Sequence, residues 1–178
     1  MTETVLTELY HRLRIREAAL DRILHLFQDL SNPRRTFQDI LEIVTEAIPA
    51  DASSLFLVTA EDGTMTVVAA TGPVADKVKG MKLPPGVGMP GVVARDRRTV
   101  AVSDVKKEPN YSRERHKIAG YETTSLLAVP VLYKGDLTGV LEVLNRKDGP
   151  EWMRHEVELL ERLARGVGSI VNLIGERR

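Results

Sequence analysis

With 178 residues, the chain is long enough for one domain with a sizeable core and too short for two ordinary ones. Lysine and arginine together number 25, as do aspartate and glutamate, so the chain lacks the basic excess typical of nucleic-acid-binding proteins. It has no cysteine, which excludes disulfides, thiolate metal sites and thiol nucleophiles, and no apolar run that predicts a signal peptide or a membrane span. We therefore expect a soluble, cytoplasmic protein without nucleic-acid or membrane partners.

The first predicted element is a long helix with a heptad pattern. Apolar residues recur at alternating steps of three and four from Leu6 to Leu30, and Arg16 is the only polar member of the stripe. Pro33 disfavours helix in the residue before it, so we expect a dimerisation helix over residues 1–32. Packing of the stripe on its own domain is the alternative to sharing it with a second copy of the chain. The residues of this helix assigned to the dimer interface are Leu6, Leu9, Leu13 and Leu20.

A second helix and a first hairpin are predicted next. The helix is expected over about Thr36–Ile48, with Thr36 as its N-cap. Two runs rich in β-branched residues follow, Ser53–Thr59 and Thr64–Thr71, and the turn between them contains Asp62-Gly63. Asp-Gly between two such runs is a strong hairpin signal, so the runs are predicted to be paired antiparallel strands.

The middle of the chain, from Gly72 to about Thr123, is irregular and rich in glycine, proline and charge. It contains one predicted strand, Thr99–Ser103, and two short predicted helices near Gly91–Asp96 and Ser112–Ala119. We expect this segment to cover one face of the sheet that the flanking strands form.

A second hairpin and a last helix complete the pattern. The strands Ser125–Tyr133 and Leu137–Asn145 flank a Lys-Gly-Asp turn, and the helix starts near Glu151. Two hairpins imply an antiparallel sheet, so we predict an α+β fold (an α/β sandwich) with a central sheet of five to six strands. The N- and C-terminal helices are expected on one face, with loops and short helices as a pocket cover on the other. Residues 33–178 are expected to form this domain, which includes the C-terminal helix.

The last helix carries two adjacent apolar stripes, which predicts contacts with the sheet and with another helix. That second helix is the first one, a symmetry mate, or both. Gly166 and Gly168 cost roughly 1 kcal/mol each relative to alanine in a helix interior, so they either permit a close approach or mark fraying. The residues of this helix assigned to the dimer interface are Val167, Val171 and Ile174.

Between about Phe37 and Ile174, six segments follow one another in the order SSLFLV, PPGVGMPGVVARDRRTVAVSDV, PNYS, TTSLLAVPV, GDLTGVLEVLNRK and VELLERLA. In this order and spacing the chain resembles a GAF domain, the small-ligand sensor module of cyclic-nucleotide phosphodiesterases, adenylate cyclases, phytochromes and bacterial signalling proteins. The resemblance implies a GAF/PAS-like fold and a regulatory, ligand-binding module of a signal-transduction protein that forms a homodimer through its terminal helices. An output domain or partner protein is a further expectation. The alternative is a dimerisation scaffold whose pocket is filled by its own side chains.

Some GAF domains that bind cyclic nucleotides carry a motif of Asn-Lys, then Phe, three residues, Asp and Glu. Here Asn145-Arg146 stands for the first pair, Trp152 for the phenylalanine and Glu156 for the aspartate, while Val157 replaces the last glutamate. The match is partial, so we expect cyclic nucleotides to bind weakly or not at all and some other small polar molecule to be the ligand.

Motifs for catalysis or cofactor binding are not supported. Gly86-Val87-Gly88-Met89-Pro90-Gly91 fits the dinucleotide pattern, but the prolines at 84 and 85 precede it where a strand should end. The resemblance to GAF domains implies instead a tight loop that leads into a short helix over the pocket. Residues 155–159 resemble the zinc-protease motif, but Leu159 replaces its second histidine, so no zinc site is predicted. The GAF-type reductase of free methionine sulfoxide depends on cysteines, which this chain lacks. We therefore expect no enzyme, no cofactor and no metal.

Candidate ligand-binding residues come from the strands and from the resemblance. Glu142 lies in an otherwise apolar strand, so it either pairs with an arginine, faces the pocket or lies at an exposed patch. By the two-residue period of a strand, Ser54 and Phe56 face the pocket if Leu55 and Leu57 face the terminal helices. The resemblance adds Asp104, Tyr111, Thr124 and Ser125 as candidate ligand-binding residues. For two of them there is an alternative to ligand contact, since Asp104 could cap a turn and Tyr111 could cover the core.

Overall fold

The computed structural model describes residues 3–108 and 120–176. Its helices are α1 (Glu3–His25), α2 (Pro33–Ala47), α3 (Ala75–Val78), α4 (Gly88–Asp96) and α5 (Arg154–Glu176). Its strands are β1 (Ala50–Val58), β2 (Met65–Ala70), β3 (Lys82–Leu83), β4 (Val100–Val102), β5 (Leu126–Tyr133) and β6 (Asp136–Arg146). Short 3₁₀ turns follow α1 and β4.

The described strands form one six-stranded sheet in the order β3-β2-β1-β6-β5-β4. All neighbouring pairs are antiparallel, and the two expected hairpins are β1-β2 and β5-β6. Glu142 of β6 lies at the centre, opposite Ser54 of β1 on one side and Ala128 of β5 on the other. The α+β fold with an antiparallel sheet is therefore confirmed.

The sheet separates two apolar cores. One core lies between the sheet and the helices α1, α2 and α5, and it includes Leu55 and Leu141. The other lies beneath α3, α4 and β3, and it includes Phe56 and Met89. The alternation along β1 is thus the one that the sequence predicted, with Leu55 toward the long helices and Phe56 toward the opposite face.

Two glycines allow α5 to lie close to its neighbours. A Cβ atom at Gly166 would come within 2.6 Å of Ile23 in α1, and one at Gly168 would overlap the backbone carbonyl of Leu132 in β5. Of the two explanations for these glycines, close approach is therefore confirmed. Helix α5 packs against α1 of the same chain.

The helix boundaries near Pro33 differ from those expected. Asn32, not Thr36, is the N-cap of α2, since its side chain accepts a hydrogen bond from the backbone N–H of Arg35 at 3.2 Å. Pro33 occupies the first turn, where its missing N–H costs nothing, so it begins α2 rather than only ending α1. The sequence analysis also missed α3 and β3, and the helix expected over 112–119 lies outside the described residues.

Candidate functional site

A cavity of about 480 Å³ lies between the sheet and a cover formed by α3, β3 and the start of α4. Strands β1, β2 and β6 supply one wall, and the segment before β5 closes one side. The sheet-side lining residues are Ala52, Ser54, Phe56, Val67, Thr71, Glu142 and Leu144. The cover and the segment before β5 contribute Val74, Val78, Met81, Lys82, Leu83, Pro84, Val87, Gly88, Pro90, Tyr121 and Thr123.

Glu142 is the acidic residue of this lining. Its side chain is buried, and within the described part of the chain its Oε2 atom has no hydrogen-bond partner. Burial raises the pKa of Glu142 from 4.5 to about 8, because the low-dielectric surroundings disfavour the charged form. Of the three alternatives for this residue, the structure therefore supports a carboxyl group that faces the pocket.

Hydroxyl groups supply most of the remaining polarity of the cavity. Those of Ser54, Thr71 and Thr123 belong to lining residues, as does the phenol of Tyr121. The Tyr121 hydroxyl accepts a hydrogen bond from Asn145 Nδ2 at 3.0 Å, and burial raises the pKa of Tyr121 to about 12. The sequence analysis did not single out Tyr121 or Thr123, because both lie in an irregular segment where no periodic pattern assigns a direction to a side chain.

Three of the candidate residues do not line the cavity. The Thr124 hydroxyl donates to Asn145 Oδ1 at 3.1 Å, and the Ser125 hydroxyl accepts from the backbone N–H of Arg146 at 3.1 Å. Asp104 caps a 3₁₀ turn by accepting from a backbone N–H at 3.1 Å, which lowers the pKa of its carboxyl. Among the candidates, Ser54, Phe56 and Glu142 meet at the cavity, and Tyr111 lies outside the described residues.

The glycine-rich loop has the structure expected from its sequence. Gly86 and Gly88 have positive φ angles of 73° and 70°, a region that side chains disfavour. Gly91 packs on this loop so closely that a Cβ atom there would lie 2.5 Å from the carbonyl carbon of Gly86. The loop thus turns sharply into α4, and Val87 and Pro90 border the cavity.

Residues of the partial cyclic-nucleotide motif lie outside the cavity lining, where they form hydrogen bonds and an ion pair with other parts of the protein. Arg146 Nε donates to both carboxylate oxygens of Glu156, at 3.0 and 2.8 Å, and this pair is buried. Glu156 also accepts from the backbone N–H of Met153, so it caps the start of α5. Trp152 Nε1 donates to the carbonyl of Val102 at 3.3 Å. These bonds fix the end of β6 and edge strand β4 to α5.

A second candidate site is an uncovered apolar surface on α1. Leu6, Leu9 and Leu13 are each about half exposed, and so are the neighbouring side chains Val5 and Tyr10. The later part of the same stripe packs on its own domain, where Leu20 is partly buried and Ile23 is buried. On α5, Val167 and Ile174 are buried in the core and Val171 is partly buried. The stripe available to a second chain is therefore its first half.

Residues 3–108 and 120–176 contain no group of three or more histidine, aspartate or glutamate side chains placed to hold a metal ion. None of the helices in these two ranges is both long and apolar enough to cross a membrane.

Residues 32–171 match the family model of the GAF domain. The chain is 29% identical over 143 residues to the cone cGMP-specific 3',5'-cyclic phosphodiesterase subunit alpha' of Bos taurus. This match covers 75% of the chain and 17% of the bovine protein, so the chain spans less than a fifth of that relative's length. GAF domains thus occur in signalling proteins.

Solved structures show the same fold. The GAF domain from a phosphoenolpyruvate-protein phosphotransferase of Coxiella burnetii superposes with a TM-score of 0.78 at 20% identity, over 91% of this chain and 97% of that one. The free methionine-R-sulfoxide reductase of Neisseria meningitidis, solved in complex with its substrate, gives 0.76 at 18% identity over 94% of each chain. Since one of the two is an enzyme, the shared fold does not decide whether a member has catalytic activity.

Proposed function

The chain belongs to the GAF domain family, and on this premise we propose that it is a regulatory module of a signal-transduction protein. It binds a small molecule in the cavity beside Glu142 and forms a homodimer through the exposed stripe of α1. The single observation that carries the proposal is a roomy cavity lined by a buried carboxyl group whose Oε2 atom has no hydrogen-bond partner among the described residues. Catalysis is not part of this function, and the cysteine-free sequence favours a cytoplasmic location.

The alternative is a dimerisation scaffold whose pocket is filled by its own side chains. A volume of about 480 Å³ lies within the range of ordinary ligand pockets and argues for an occupant from solution. The lining supports this choice because it combines apolar walls with a few polar groups, as binding sites for small molecules do.

Cyclic nucleotides are not the ligand that we propose, although the bovine relative is a cGMP-specific phosphodiesterase. Their phosphate is anionic, and Lys82, the basic residue of the described lining, is exposed. The motif residues Arg146 and Glu156 bind each other instead of lining the cavity. Titration calorimetry with cyclic AMP and cyclic GMP is expected to give no binding at micromolar concentrations.

The dimer would connect the cavity to the output of the protein. The half-exposed leucines at positions 6, 9 and 13 repeat at heptad spacing, which suits a seam between two copies of one helix. The second half of α1 packs against α5, and α5 packs against strands β5 and β6. A ligand beside Glu142 would touch β6 directly, so its binding can bias how the helices pack.

A ligand screen by thermal shift tests the proposal. The unmodified protein and the variant Leu144→Trp, which fills the cavity, are screened against one set of small cationic, neutral and anionic metabolites. Lys147→Trp is the matched control because it adds the same indole at an exposed position one residue beyond β6. We expect compounds that raise the Tm of the unmodified and control proteins and not of Leu144→Trp. Equal shifts in all three proteins would place binding elsewhere and contradict the proposal.

A further inference from the structure

The cavity combines walls that are mainly apolar with one ionisable group at its centre. Glu142 projects from the middle of the sheet, and its cross-strand neighbours Ser54 and Ala128 carry no charge. Ala52, Phe56 and Leu144 surround it on the same face of the sheet. Within the described part of the chain, Glu142 forms no ion pair, and its Oε2 atom is buried without a hydrogen-bond partner.

We propose that the ligand is a compact, largely apolar organic cation, whose ammonium or amidinium group binds the carboxyl group of Glu142. The proposal rests on the ligand-binding function given above and specifies the chemical class of the ligand. The apolar body of such a molecule would pack against Phe56 and the aliphatic side chains of the cover.

A cation is favoured because it supplies what the cavity lacks. A carboxyl group buried without a partner carries an uncompensated desolvation cost, and an N–H donor with a positive charge offsets it through a charge-assisted hydrogen bond. A ligand hydroxyl forms a weaker bond to the same oxygen. A ligand carboxylate or phosphate would meet the ionised form of Glu142 as a like charge in a low-dielectric site, where repulsion is strong.

Among residues 3–108 and 120–176, the other titratable groups that line the cavity do not replace the missing partner. Tyr121 faces it from the segment before β5, and the pKa of Tyr121 is about 12, so its phenol stays neutral. Lys82 lies on β3 at the rim and is exposed to water. Ser54 of β1 and Thr71, which directly follows β2, also line the cavity, and neither ionises in the neutral range. Glu142 is therefore the group whose charge a ligand would sense.

Binding of a cation should be coupled to proton release. In the empty cavity, burial raises the pKa of Glu142 to about 8, so the carboxyl group is mostly protonated at neutral pH. A bound cation favours the carboxylate and lowers this pKa. The affinity for the cation is therefore expected to rise as the pH increases through the neutral range and to level off above the pKa of the empty state.

Three planar probes of nearly equal shape test the proposal. Naphthalene-2-carboxamidinium, naphthalene-2-carboxamide and naphthalene-2-carboxylate are titrated into the full chain by calorimetry, at about pH 6.5 and about pH 8.5. At the higher pH we expect the amidinium to bind at least about tenfold more tightly than the carboxamide, and the carboxylate not to bind. The affinity of the protein for the amidinium should be higher at the higher pH than at the lower one. This comparison requires no variant.

Glu142→Gln supplies the matched comparison, with Glu158→Gln, at an exposed position on α5, as its control. In Glu142→Gln the amidinium should lose its preference over the carboxamide and its pH dependence, whereas Glu158→Gln should keep both. Equal or tighter binding of the carboxamide or the carboxylate would overturn the cationic class and leave ligand binding in the cavity intact. Failure of all three probes would also overturn it, and the metabolite screen with Leu144→Trp decides separately whether the cavity binds any ligand.

Discussion

In the folded protein, burial disfavours the ionised form of Glu142. Its pKa is raised from 4.5 to about 8 by burial, so the folded protein holds this proton more tightly than the unfolded chain does. Below pH 4.5 both states are protonated and the residue costs nothing. Between pH 4.5 and 8 the unfolded chain ionises first, and the free energy of unfolding falls as the pH rises, levelling off above about 8.

Glu142→Gln is expected to remove this pH dependence, because glutamine does not ionise. Between about pH 5 and about pH 8.5, the free energy of unfolding of the unmodified protein should fall relative to that of the variant by on the order of a few kcal/mol. Urea denaturation at several pH values measures both. Parallel pH profiles for the two proteins would mean that the carboxyl group is solvated or paired.

Arg146 and Glu156 form the buried ion pair that joins β6 to α5. Arg146→Met should lower the free energy of unfolding by about 3–5 kcal/mol, because it leaves the carboxylate of Glu156 buried without its partner. Arg154→Met is the control, since the exposed pair that Arg154 forms with Glu158 on α5 is worth at most about 1 kcal/mol. Equal decreases in the free energy of unfolding of the two variants, measured by chemical denaturation, would contradict a buried Arg146–Glu156 ion pair.

At the scale of elements, the sequence pattern predicted the directions of side chains correctly within strand β1 but not in the irregular segment before β5. Ser54 and Phe56 lie within β1, where the pleat alternates side chains between the two faces, and both line the cavity as expected. Thr124 and Ser125 precede the first residue of β5, so no pleat fixes their directions, and Thr123 lines the cavity instead. Tyr121 is positioned by Asn145, which is 24 residues away in sequence, and no local pattern encodes such a bond.

Helix α5 contains a glycine that packing requires and one that it does not. Gly168→Ala should destabilise the protein by about 1–3 kcal/mol, because its methyl group would overlap the carbonyl of Leu132. Gly175→Ala, where no atom lies within 4 Å of the added Cβ, should be neutral or stabilise by up to about 1 kcal/mol. Thermal denaturation of the two variants checks the opposite signs. A stabilised Gly168→Ala variant would show that β5 does not lie so close to α5.

At the scale of the whole molecule, the sequence indicated the sheet, the terminal helices on one face and a pocket cover of loops and short helices on the other, but not the elements α3 and β3 of that cover. Elements α3 and β3 are too short for a periodic pattern, and β3 is fixed by pairing with β2 at Met65 and Leu83. The sequence predicted the length of the apolar stripe on α1, but not which half of the stripe is buried and which half is exposed. Only the fold shows that Ile23 packs on its own domain while Leu9 and Leu13 remain exposed.

Leu9→Glu with Leu13→Glu is expected to convert a homodimer into folded monomers, because two carboxylates would replace apolar contacts in the proposed seam. Both residues are exposed in the single chain, so the variant should fold normally. His11→Glu with Ala18→Glu is the control, since it adds the same charges on the opposite side of the heptad. Sedimentation velocity measures the masses. A monomeric unmodified protein at micromolar concentration would contradict the seam.

Native mass spectrometry of the gently purified full chain tests most directly whether this domain is a receptor for a small molecule. We predict that the unmodified protein carries an additional small mass that denaturation releases, and that Leu144→Trp, whose cavity is filled, lacks it. Lys147→Trp should retain the mass because its indole lies outside the cavity. The same additional mass on the unmodified protein and on Leu144→Trp would contradict the assignment of the cavity as the binding site.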